Sequence, residues 1–100
     1  MNDYENIYIK NVMKNDIHVT AGQHLNVIGI VAATITVEQN ACLTIKGMAT
    51  NVINYGNTFV YGMVESLDNQ DVCEIHGIVR NVCGKPCVII KNAVVDGMRY

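Results

Sequence analysis

The side chains that could do chemistry are few and scattered. They are His18, His24 and His76, the thiols Cys42, Cys73, Cys83 and Cys87, and the acids Glu65, Asp68, Asp71 and Glu74. Imidazoles and thiolates ligate zinc at about 2.0–2.3 Å, so a zinc site needs several of them brought together. Cys73-x-x-His76 followed by Cys83 and Cys87 has the outline of such a knuckle. The cysteines could instead pair as disulfides, and the acids could receive a basic partner. The choice depends on the elements that carry these residues.

Those elements are legible as a repeat. Six stretches read apolar-x-apolar-x-(Gly/Asn)-x-apolar: Ile7 to Met13, Leu25 to Val31, Leu43 to Ala49, Thr58 to Val64, Cys73 to Val79 and Val88 to Val94. Their pivots are Asn11, Gly29, Gly47, Gly62, Gly77 and Asn92. The first two intervals between pivots are long and equal, and the last three are shorter and again equal. Alternation at period two marks a strand with one buried face. Ile9, Val27, Ile45, Val60, Ile75 and Ile90, two before each pivot, are strand formers that would stack as an internal ladder. The spacing predicts an all-β chain: one domain, residues 1–100, forming a parallel β-solenoid (β-helix) of about six coils, 18-residue coils first and 15-residue coils later. Each coil alone cannot bury its apolar face, and stacking supplies the core.

Further apolar positions recur at Ile17, Val19, Ile35 and Val37, and in the short coils at Val52, Leu67 and Val82, where Asn51, Ser66 and Asn81 read as turn residues. The pivot reads as a bend with positive φ, which glycine adopts at least cost and asparagine next. Gly62→Val is then expected to loosen the stack by forcing a β-branched residue into that region.

The repeat disposes of most of the chemistry. Strands stack about 4.8 Å apart, so His24 and His76, three coils apart, cannot share an ion. Cys73 takes an inward position while His76 takes the outward parity, which dissolves the knuckle. Cys42 and Cys87, also three coils apart, exceed the roughly 7 Å Cα limit of a bridge. Only Cys83 and Cys87 are near in sequence, and reduced thiols are expected. No Gly-rich phosphate loop precedes a helix, and no Ser, His and Asp set can be placed together. No catalytic residue, metal or cofactor is expected.

Composition narrows the class. Lys plus Arg number 7 against 9 Asp plus Glu, with no basic stripe to neutralise phosphates, so nucleic-acid binding is not expected. No apolar run approaches the roughly 18 residues of a membrane span. The acidic start Met1-Asn2-Asp3-Tyr4-Glu5 has no basic n-region or apolar h-region, and a cytoplasmic protein is expected.

Two surface features remain. Parity puts the residue after each pivot outside, giving the apolar column Val12, Ile30, Met48, Met63, Ile78 and Ala93, with Phe59 and Tyr61 outward beside it. Exposed apolar stripes mark protein contacts, and aromatic residues are frequent anchors. If the chain turns inward at the bend, the same column is core. Glu65, Asp68, Asp71 and Glu74 form either a solvated turn region or a landing site for a basic partner.

Leu43-Thr44-Ile45-Lys46-Gly47-Met48, Val52-Ile53-Asn54-Tyr55-Gly56-Asn57 and Val60-Tyr61-Gly62-Met63-Val64 resemble the repeats of bactofilin-type, polymer-forming small β-solenoid proteins. The resemblance covers roughly residues 7–96 and implies the architecture and end-to-end self-assembly. Departures from that family are expected in the absence of polar tails and of a membrane-attachment segment, and the coil length changes midway. Either solenoid end is a strand edge able to pair with another chain, and no charged helix or proline-rich cap is visible at either. The reading is a non-enzymatic protein-interaction module, in its concrete form an immunity-type protein that binds and neutralises a cognate, basic toxin. The alternative is a bactofilin-like self-assembling cytoskeletal or scaffold protein, joined through open ends as a homodimer or higher oligomer.

Overall fold

The computed structural model describes residues 4–99; the acidic start Met1-Asn2-Asp3 lies outside them. The first coil holds β1 (Glu5–Ile9), β2 (Val12–Met13) and β3 (Ile17–Val19). The next four are strand pairs: β4 (Gln23–Val27) with β5 (Ile30–Val37), β6 (Cys42–Ile45) with β7 (Met48–Asn54), β8 (Asn57–Val60) with β9 (Met63–Asn69), and β10 (Val72–Ile75) with β11 (Ile78–Gly84). The last holds β12 (Val88–Ile89), β13 (Val94–Val95) and β14 (Met98–Arg99). The strands form two sheets. One runs β1-β4-β6-β8-β10-β12, and the other runs β14-β13-β11-β9-β7-β5-β2 with β3 also on β5. All pairings are parallel except β13 with β14. The chain is a parallel β-solenoid of about six coils.

The inner columns are those the alternation requires. Ile9, Val27, Ile45, Val60 and Ile75 pair in register on the first sheet. Met13, Val31, Ala49, Val64, Val79 and Val95 do so on the second. Ile17, Ile35, Val52, Leu67 and Val82 close the far side. From the second coil to the fifth these columns are buried, apart from half-buried Val82.

The shortening of the coils has a local cause. Val37 pairs with Asn54 and Cys42 with Asn57, so five steps of chain in one coil match three in the next. The longer turn, Glu38 to Ala41, carries Asn40 at φ 63°. The shorter turns are closed by buried amides. Asn54 Oδ1 accepts from Gly56 N at 3.1 Å, and its Nδ2 donates to Val72 O at 2.7 Å and to Asn69 Oδ1 at 2.9 Å. Asn69 repeats the motif one coil on, donating to Asp71 O at 3.0 Å and Lys85 O at 3.2 Å. The third residue is lost at a register shift between Val31 and Thr34. Asn51, Ser66 and Asn81 are therefore not turn residues; they lie within β7, β9 and β11.

Three further expectations need correction. First, Gly29, Gly47, Gly62 and Gly77 do not have positive φ. Glycine is required there because a Cβ would strike backbone oxygens of the preceding coil, Gly47 O in the case of Gly62 and Gly29 O in the case of Gly47. Asn11 has no described coil before it to strike.

Second, the sixth coil is out of step with the repeat. Ile75 pairs with Ile89, whereas Ile78 pairs with Val94, so the step between coils is shorter on the first sheet than on the second. Ile89 rather than Ile90 continues the ladder. Ala93 rather than Asn92 takes the pivot, since Val94 N bonds Gly77 O as Ile78 N bonds Gly62 O. Asn92 does have positive φ, 76°, but in the turn before it.

Third, the C-terminal end of the second sheet carries a cap. Asp96 and Gly97, at φ 52° and 79°, turn the chain so that β14 runs antiparallel on β13.

Candidate functional site

The bend at each pivot separates two outer surfaces. After the bend, the residue that follows the pivot points away from the core, because its neighbour one step on points in. The column is Val12, Ile30, Met48, Met63, Ile78 and Val94, paired rung by rung. Val12, Ile30, Met48 and Ile78 are 40–58% exposed, and Met63 and Val94 are half-buried. The alternative of an inward-facing column fails for these residues. It holds for Ala93, which is fully buried at the pivot.

Before the bend lies the outer face of the first sheet. Tyr61, 51% exposed, stacks on His76 with centroids 4.5 Å apart and planes at 16°. His76 Nε2 is 2.7 Å from Glu74 Oε1, so the imidazole is held between a ring and a carboxylate. Phe59, half-buried, sits beside Glu74 and Thr44 in the same outward column. A shallow cleft of about 480 Å³ runs over His24, Asn26, Thr44, Lys46, Phe59 and Tyr61. His24 Nε2 is 2.7 Å from Thr44 Oγ1, and burial holds its pKa below the ordinary histidine value. Phe59 and Tyr61 thus share a face with His24 and His76 and lie across the bend from Ile30, Met48, Met63 and Ile78.

The four acids are not brought together. Glu65 and Asp68 lie on β9 in one sheet, Glu74 on β10 in the other, and Asp71 in the turn between them. Glu65 is 3.8 Å from Arg80, and Asp68 Oδ1 accepts from Gln70 Nε2 at 2.6 Å. With Glu74 on His76, three of the four already have partners, and no single acidic patch results.

Among the described residues no group of three His, Cys, Asp or Glu is placed to hold a metal ion. His18 Nδ1 lies 3.6 Å from a Glu38 carboxylate oxygen. All four cysteines are free, with Cys42 and Cys73 buried, Cys87 half-buried and Cys83 exposed. Cys87, rather than the expected Val88, occupies the inward column above Cys73. Sequence reasoning missed this because the shorter step into the sixth coil interrupts the period. It also missed the Tyr61–His76 stack, whose signal is that the two residues stand one short coil apart.

No helix is present among the described residues, and none is long and apolar enough to cross a membrane. No family model matches the chain, and no curated protein or solved structure matches it significantly.

Proposed function

We propose that the chain is a protein-interaction module that acts by occupying one partner protein. The observation that carries this reading is the outward apolar column Val12, Ile30, Met48, Met63, Ile78 and Val94, exposed at Val12, Ile30, Met48 and Ile78. Water gains nothing from such a stripe, and its burial by a partner removes apolar surface at roughly 25 cal/mol per Å². Two of the six are methionines, whose unbranched chains adapt to the partner's relief. Across the bend Tyr61 offers an aromatic anchor held rigid by its stack on His76. In its concrete form the module is an immunity-type protein that neutralises a toxin. The dispersal of the four acids removes charge as a reason to require a basic toxin.

The test uses paired substitutions in the middle of the column, Met48→Asp with Ile78→Asp. Both side chains are solvent-facing, so the thermal unfolding midpoint should stay near that of the parent. The parent chain, immobilised, should retain a defined protein from cells that make it, and the double variant should lose it. A toxin partner should arrest growth when expressed alone and cease to do so when this chain is co-expressed. Equal retention by parent and variant would remove the column from the account.

The second reading is a self-assembling scaffold of the bactofilin type, which the coil repeat resembles. In its favour, β1 ends the first sheet among the described residues, and an unpaired strand edge can take a second copy. Against growth in both directions stand the antiparallel β14 and the uneven register of the sixth coil, neither of which offers a matching rung to a further solenoid.

A further inference from the structure

Register brings together two thiols whose positions in the sequence do not advertise it. β10 and β12 pair through Glu74↔Val88 and Ile75↔Ile89. One step back along both chains, Cys87 stands over Cys73 on the inner face. Both side chains are free thiols, and each perturbs the ionisation of the other. Parallel neighbours lie about 4.8 Å apart, within the roughly 4.4–6.8 Å Cα separation that a disulfide spans. The other thiols are differently placed. Cys42 follows the column of Asn57 and Val72, and Cys83 pairs with Asp68 in the second sheet.

The two thiols differ in access. Cys73 is 1% exposed. Cys87 is half-buried and lines a cleft of about 240 Å³ together with Cys83, Lys85 and Pro86. The contact with Cys87, and burial, push the Cys73 thiol up. Contacts with Cys73 and Asn69 pull the Cys87 thiol down against its own burial. Solvent reaches Cys87 and not Cys73, so Cys87 is the thiol that meets an oxidant, as the thiolate nucleophile.

We propose that Cys73 and Cys87 are an oxidative modification site, forming an intramolecular disulfide with a low-molecular-weight disulfide of the glutathione class and so clasping the sixth coil to the fifth. The Cys87 thiolate attacks one sulfur of the oxidant, whose S–S bond breaks to release one thiolate. Cys73 then loses its proton and attacks the Cys87 sulfur, expelling the second thiol. Two protein thiols are oxidised, and one oxidant disulfide is reduced to two thiols. The sixth coil is where a clasp matters most, being held by β12 and β13 of two residues each. It also carries Val94, the last member of the exposed column.

The experiment treats the purified full chain with glutathione disulfide, blocks remaining thiols by alkylation and locates cross-links by tandem mass spectrometry. The Cys83→Ser variant runs in parallel, because Cys83 lies close to Cys87 in the sequence and is the competing partner. The expected result is a Cys73–Cys87 cross-link in both proteins, with Cys42 alkylated. The thermal midpoint of the oxidised chain should exceed that of the reduced chain by at least about 5 °C. Cys73 fully alkylated, with Cys87 bonded to Cys83 or to glutathione, overturns the proposal. So does a chain that stays fully reduced, or a cross-link that leaves the midpoint unchanged.

Discussion

Thr58 occupies an inward column between Leu43 and Cys73, fully buried, and its hydroxyl has no hydrogen-bond partner among the described residues. A buried polar group left unpaired forfeits its hydration, and a methyl of the same shape does not. Thr58→Val is therefore expected to stabilise the chain by about 1 kcal/mol, seen as a thermal midpoint roughly 5 °C higher. A lower midpoint would show that the hydroxyl is satisfied. The buried amides make the opposite case. Asn54 and Asn69 are also fully buried, yet each closes its own turn and reaches the next coil. Their role is hidden in the sequence, because an asparagine at an inward strand position reads as an error in the alternation. Thr58, by contrast, is legible as an inward member of its repeat.

At the scale of the element, the bend is the feature that the sequence locates and misexplains. Gly29, Gly47, Gly62 and Gly77 mark it, and with Asn11 their spacing gives the steps between the first five coils. The cause is close approach of successive coils rather than a left-handed backbone. The two causes make different demands. Gly22 has φ 84° with nothing among the described residues within 4 Å of where a Cβ would sit, whereas at Gly62 a Cβ meets the Gly47 carbonyl oxygen. Gly22→Ala is expected to cost about 1 kcal/mol, the strain of one residue in that region. Gly62→Ala is expected to cost about 2–3 kcal/mol, as overpacking does where the neighbour is backbone. Chemical denaturation of both variants compares them directly, and a smaller loss at Gly62 would contradict the clash. The final hairpin is legible too, once the repeat is set aside. Val94-Val95-Asp96-Gly97-Met98 carries the Asp-Gly pair that favours two-residue turns of this kind. Extending the repeat through to residue 94 conceals it and sets the sixth coil one residue out of register.

For the whole molecule, the solenoid is readable because one pattern recurs along the chain and each instance checks the others. Surface chemistry is less readable, because proximity on a solenoid depends on which side of a bend a residue stands. Parity identifies the outward column for five of its six members and puts Phe59 and Tyr61 outside. It does not show that the bend places them on a different surface, nor that Glu65 and Glu74 stand on opposite sheets. The long coils at one end, the short coils and antiparallel strand at the other, and a column exposed between them describe a body with unlike ends and one continuous apolar side. The proposed function lays a partner along that side rather than stacking copies on the ends. The mass in solution, measured by light scattering after size exclusion across a wide concentration range, tests that most directly. A monomer or one discrete dimer at every concentration is the expected result. Growth with concentration into large, heterogeneous species would contradict it and make end-to-end polymerisation the function of the fold.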